Sequence, residues 1–237
     1  MGIGPGKATA MRRLWLKSAM VAAGYALMPL TSARADHAGR ALVNHGNVSG
    51  AVRDIASRIA AGNDHQGLPY LVIDKVEARA FLFDGAGRML ADTPVLLGLA
   101  IGDDAVPGIG ERPLSAIRPA ERTTPAGRFL AALGHNLAGK EVLWVDYDNA
   151  ISLHPVVTDN PAENRLERLA SRSAKDKRIS YGCINVPQRF FRDMVSPLFR
   201  EHGGMVYVLP ETRPAALLPG EQEGRQSAPE TASIADN

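Results

Sequence analysis

The chain of 237 residues contains one cysteine, Cys183. No internal disulfide can form, and an unpaired thiol in an oxidising compartment marks a candidate reactive group. Aromatic residues are scarce, at 5%, and no basic block is interleaved with them. That removes the footing for nucleic-acid binding, which needs both. No His/Cys/Asp cluster has metal-ligand spacing, and the glycines from Gly102 to Gly110 lack the Lys-Ser or Lys-Thr that would complete a phosphate cradle. No cofactor and no metal are expected, and no internal repeat divides the chain.

Acidic residues are missing from the first 35 positions, which carry Lys7, Arg12, Arg13, Lys17 and Arg34. An apolar run from Ala19 to Leu30 follows, too short and too interrupted by Gly24 and Pro29 for a membrane span. It leads to Ala33-Arg34-Ala35, the small-x-small form that a signal peptidase accepts. Residues 1–35 therefore read as a signal peptide cut before Asp36, for the Sec route or, through Arg12-Arg13-Leu14-Trp15, the twin-arginine route. Cleavage would remove five of the 27 Lys and Arg and none of the 25 Asp and Glu, turning a net charge of +2 into −3. The expected mature protein is mildly acidic, extracytoplasmic and without stable membrane insertion.

Residues 36–67 read as an N-terminal helical segment, because Val48, Val52, Ile55 and Ile59 recur at helical spacing between Asn47 and Gly62. From Pro69 the period changes. Short apolar runs at Tyr70 to Ile73, Ala80 to Phe83, Val95 to Leu97, Val142 to Tyr147, Ile151 to His154 and Met205 to Leu209 predict strands, with Asp84 to Gly87 as a hairpin turn. No long helices alternate with them, so an antiparallel, mainly β domain over 68–209 is expected. Asn164 to Leu169 is expected as a short helix with Leu166 and Leu169 facing inward, inside a polar segment that is either a lid or a solvated insertion. Pro187 suits the first turn of a helix whose apolar face holds Phe190, Phe191, Met194, Val195 and Leu198. Residues 210–237, rich in Pro, Glu, Ser and Thr, read as a disordered tail.

A free thiol has a pKa of about 8.5, so only a small share is thiolate at neutral pH, and a nucleophilic cysteine needs a partner for its proton. Of six histidines, His37, His45, His65, His135 and His202 lie in polar or Gly-bearing stretches that suit surface loops. His154 ends an apolar strand just before Pro155, a position scaffolds use for catalysis. Cys183 sits in Ser180-Tyr181-Gly182-Cys183-Ile184-Asn185, where Gly182 permits close backbone approach and successive N–H groups could converge on an oxyanion. A buried inert cysteine is the competing reading.

With His154 upstream of that hexapeptide, and Thr124-Pro125-Ala126-Gly127-Arg128-Phe129 before both, the chain resembles the L,D-transpeptidase catalytic domain family (YkuD-like) over Pro69 to Leu209. The resemblance implies an L,D-transpeptidase-type β-sandwich or barrel-like domain with a few short helices. It also implies that Cys183 attacks the carbonyl of the third residue of a peptidoglycan stem tetrapeptide, with His154 as base. Tyr181, Gly182, Ser180 and Asn185 are the implied oxyanion- or substrate-binding residues. Tyr181 stands where the family commonly has histidine, and the segment between His154 and Ser180 is longer than usual. Pro155 stands where Gly or Ser is frequent, which leaves its backbone carbonyl to orient the histidine. The alternatives are a cysteine-dependent L,D-carboxypeptidase or endopeptidase and a non-catalytic wall-binding module. A sortase-like reading lacks its Thr-Leu-x-Thr-Cys stretch.

Overall fold

The computed structural model describes residues 48–214. The expected signal peptide, His37, His45 and residues 215–237 lie outside the described residues. Among the described residues no helix is long and apolar enough to cross a membrane.

The first helix, α1 (Gly50–Gly62), starts where Ser49 caps the Val52 N–H and ends at Asn63 in the left-handed region. Val52, Ile55 and Ile59 are its buried residues. Each stabilises the docking by roughly 1.5–3 kcal/mol.

The sheet is built from β1 (Tyr70–Asp74), β2 (Arg79–Phe83), β3 (Met89–Pro94), β5 (Gly127–His135), β6 (Glu141–Asp146), β7 (Ile151–Pro155), β9 (Ile184–Val186) and β10 (Gly204–Val208). Their spatial order is β3-β2-β1-β10-β5-β6-β7-β9. A two-stranded ribbon of β4 (Leu97–Gly98) and β8 (Arg178–Ser180) accompanies it. The fold is thus mainly β and barrel-like, but the expectation of an antiparallel sheet is corrected. The pairs β1–β10, β7–β9 and β4–β8 are parallel. The hydrophobic runs located strands without revealing which distant partner each would meet. Four strands were missed: β3 because its half-buried residues give little alternation, β5 because Gly and His interrupt its apolar pattern, and β8 and β9 because three residues are too few to show a period.

Strand β1 is buried on both faces. Leu71 and Ile73 join a core with Phe190, Phe191, Val195 and Phe199. Tyr70 and Val72 point the other way into a second core with Val52, Ile55 and Ile59. The period of two along a strand makes this division. The helical run that supplies the phenylalanines consists of α3 (Gln188–Phe190), a π-helical stretch Phe191–Val195, and α4 (Ser196–Phe199). Pro197 has no N–H to give to the preceding turn, and the helix widens just ahead of it.

Strand β5 joins the halves of the sheet. Gly127 to Ala131 pair with β10, whereas Ala132 to His135 pair with β6. Beyond β10 the chain remains anchored. Glu211 and Thr212 donate their amides to Asp103 at 2.8 and 2.9 Å, and Arg178 pairs with Glu211. The expected start of the tail at Pro210 is therefore too early, because these polar residues are held by buried charges rather than by apolar contact. His65 also departs from its surface reading: it is buried, and its Nε2–H donates to the Gly85 carbonyl at 3.1 Å.

Candidate active site

Strand β7 carries Ser152 and His154 two residues apart, which puts both side chains on one face. The neighbouring β9 runs parallel, with His154 opposite Asn185 and Leu153 opposite Ile184. Cys183 immediately precedes β9, so the sheet delivers thiol and imidazole to the same place. The Ser152 hydroxyl lies 3.7 Å from the Cys183 sulfur, and the Ala150 carbonyl lies 3.6 Å from it.

The turn before Cys183 depends on glycine. Gly182 has φ +134°, and a Cβ there would meet the Thr123 carbonyl at 2.6 Å and Ile151 Cδ1 at 2.7 Å. Ser180 is buried and closes the turn, donating its hydroxyl to the Cys183 carbonyl at 2.6 Å and accepting from the Gly182 N–H at 3.1 Å. Its hydroxyl and that amide are thus engaged inside the loop. Thr124, fully buried, braces the turn from the other side by donating to the Gly182 carbonyl at 2.8 Å. That contact brings the Thr-Pro stretch and the cysteine stretch together in space.

His154 Nδ1–H donates to the Pro155 carbonyl at 2.8 Å, which leaves Nε2 for exchange with the thiol. Burial disfavours the imidazolium, but Cys183 and the Pro155 carbonyl outweigh it and hold the His154 pKa above its ordinary value. For Cys183, burial pushes the thiol up, while His154 and Ser152 pull it below the ordinary value. Both directions ease the passage of the thiol proton to the imidazole.

The sulfur faces a small pocket walled by Ile109, Leu114, Ile117, Ile151 and Tyr181. Three of these come from the long connection between β4 and β5, a stretch with no regular element beyond short 3-10 turns. The Arg122 guanidinium lies over the Tyr181 ring, 3.9 Å from its centroid, and donates to the Ile117 carbonyl. Tyr181 is therefore a wall of the pocket, held in place by that loop. Length without structure is the one sequence signal that would have flagged the connection.

The 155–178 segment contains α2 (Arg165–Ala170) between two 3-10 turns. Leu169 faces inward as expected, but Leu166 is 59% exposed. Arg165, at the start of α2, points inward and donates to Asn185 Oδ1 at 2.6 Å. Asn185 is fully buried, and its Nδ2 lies 3.2 Å from His154 Nε2. Sequence reasoning missed Ser152, which strand alternation from His154 could have indicated. It also missed Arg165, which no local pattern distinguishes from its charged neighbours. Among the described residues no group of three His, Cys, Asp or Glu side chains is placed to hold a metal ion.

No protein-family model matches the chain, and no curated protein matches it. Among solved structures, it is similar to the NMR structure of the catalytic domain from E. faecium L,D-transpeptidase, with a TM-score of 0.30 and 16% identity. The likeness covers 59% of this chain and 95% of that one.

Proposed function

We propose that the protein is an exported peptidoglycan L,D-transpeptidase that works through a thioester on Cys183. The observation that carries this reading is that the parallel pairing of β7 with β9 sets the lone thiol, which lines a pocket, beside a histidine whose Nδ1 is fixed on a backbone carbonyl.

The thiol proton passes to His154 Nε2 as the sulfur attacks the carbonyl of the third stem residue, forming the carbon–sulfur bond. The carbonyl electron pair moves to oxygen, where the backbone amides of Tyr181 and Cys183 are the donors available in the turn, since the Gly182 amide serves Ser180. Collapse breaks the peptide bond, and the terminal D-amino acid leaves as an amine after taking the proton from His154. An acceptor amine then attacks the thioester, giving up a proton to His154, and the sulfur departs as thiolate. The acceptor is a second stem peptide or a protein to be anchored. The apolar pocket wall suits this sequence because excluding water favours an amine over hydrolysis.

Mass analysis of stem-tetrapeptide muropeptides incubated with the protein, with Cys183→Ala as control, tests the proposal. Cysteine-dependent dimers joined between two third residues are expected. Tripeptides or cleaved dimers without new links would replace the transpeptidase with a carboxypeptidase or endopeptidase. Unchanged substrate, even with an added protein acceptor, would sink both enzyme readings.

A further inference from the structure

We propose that Arg165 is a positioning residue that acts through the Asn185 amide to hold His154 as its Nδ1–H tautomer, leaving Nε2 unprotonated to receive the thiol proton. This rests on the reading of Cys183 and His154 as the reacting pair, and it gives the long 155–178 segment a role in the chemistry.

Three contacts form a chain in which each dictates the next. A guanidinium has donors only, so the group that Arg165 meets at 2.6 Å must be the oxygen of the Asn185 amide. The amide nitrogen is then turned away from Arg165, toward His154 Nε2 at 3.2 Å. That nitrogen only donates, so Nε2 must accept and carry no proton. At the far side of the ring the Pro155 carbonyl only accepts, so Nδ1 must carry the proton. One orientation of Asn185 thus selects one tautomer of His154.

The parts are placed to keep that orientation. Asn185 is fully buried and exchanges backbone hydrogen bonds with Leu96 in both directions at 2.9 Å, so its backbone is pinned and rotation of the amide is the freedom left to it. The Arg165 side chain is 13% exposed and is held at Nε by Glu163.

The consequence for catalysis follows from the same donor count. When the thiol proton reaches Nε2, that N–H and the Asn185 N–H become two donors face to face. The arrangement opposes a lasting imidazolium, so the proton is readily passed on to the departing amine. The charged and titratable groups acting on His154 are Cys183 from the turn and Arg165 from α2, whose own charge is partly balanced by Glu163. The Arg165 charge also works against the imidazolium. Without Arg165 the amide is free to turn its oxygen toward Nε2–H, which would stabilise the thiolate–imidazolium pair.

The test is the rate of iodoacetamide alkylation of Cys183 in the full chain as a function of pH, for wild type, His154→Ala, Arg165→Met and Arg165→Lys. Arg165→Met should shift the acid limb of the profile to lower pH, and Arg165→Lys, which keeps a donor and the charge, should move it back toward wild type. An Arg165→Met profile that superimposes on wild type, or moves to higher pH, would overturn the proposal while leaving the reacting pair intact. A wild-type profile unaffected by His154→Ala would overturn the pair itself and the proposal with it. Should Arg165→Met not fold, nitrogen-15 NMR of the wild-type His154 ring decides: the Nδ1–H tautomer supports the proposal and the Nε2–H tautomer refutes it.

Discussion

Thr124 and Gly182 are joined by a hydrogen bond of 2.8 Å from the buried hydroxyl to the glycine carbonyl, and the same hydroxyl accepts the Gly98 N–H at 2.9 Å. One side chain therefore ties the ribbon strand β4 to the turn that presents Cys183. A buried polar group deprived of its partner costs about 1–3 kcal/mol. Thr124→Val keeps the shape and removes the hydroxyl, stranding both the Gly98 N–H and the Gly182 carbonyl. It is expected to lower unfolding stability by about that amount for each group, as read by urea denaturation, and to reduce acyl transfer by loosening the turn.

Gly182→Ala tests the turn directly. The added methyl meets the Thr123 carbonyl and Ile151 at contact distances no side chain tolerates, in a backbone conformation that favours glycine. Strain of this kind costs on the order of 1–3 kcal/mol. Loss of one oxyanion donor costs roughly 100- to 1,000-fold in rate in acyl-transfer enzymes. Displacing the whole turn is expected to cost at least as much in muropeptide turnover, with a smaller effect on unfolding.

Ser152→Ala removes a hydroxyl that helps hold the Cys183 thiol below its ordinary pKa. The alkylation profile of Cys183 is expected to move to higher pH, and alkylation at neutral pH to slow severalfold. An unchanged profile would show that the Ser152 hydroxyl has no influence on the sulfur.

Lys75 and Asp103 form a fully buried ion pair at 2.8 Å, which also receives the backbone of Glu211 and Thr212. Burial pushes the Asp103 carboxyl up, but Lys75, Thr212 and the two amides outweigh it and hold it far below the usual range. A lowered carboxylate pKa contributes stability that is fully present above the unfolded-state value of about 3.9 and is lost as pH falls through the folded value. Asp103→Asn leaves Lys75 charged with only the Glu211 carboxylate, at 3.5 Å, so it should cost about 3 kcal/mol near neutral pH, the lower end for a broken buried pair. The gap between variant and wild type should narrow on acidification, as measured by chemical denaturation at several pH values.

Local pattern made much of the molecule legible. The helical spacing of Val52, Ile55 and Ile59 located α1, and the apolar runs located the central strands, because burial of a face imposes a period on the chain. The uniqueness of Cys183, and the strand-end position of His154 before Pro155, singled out the candidate pair, whereas the carbonyl that orients the imidazole was expected only from the family resemblance. Other features needed the folded chain. Parallel pairing of β7 with β9 places His154 opposite Asn185, and only that register lets Arg165 reach the imidazole through a buried amide. Thr124 and Gly182 lie far apart in sequence, as do Lys75 and Asp103 and the residues of the pocket wall. A chain records which residues are apolar and how they repeat, which determines elements. Pairings between distant elements arise from packing all of them at once, and these decided which polar groups meet at the thiol.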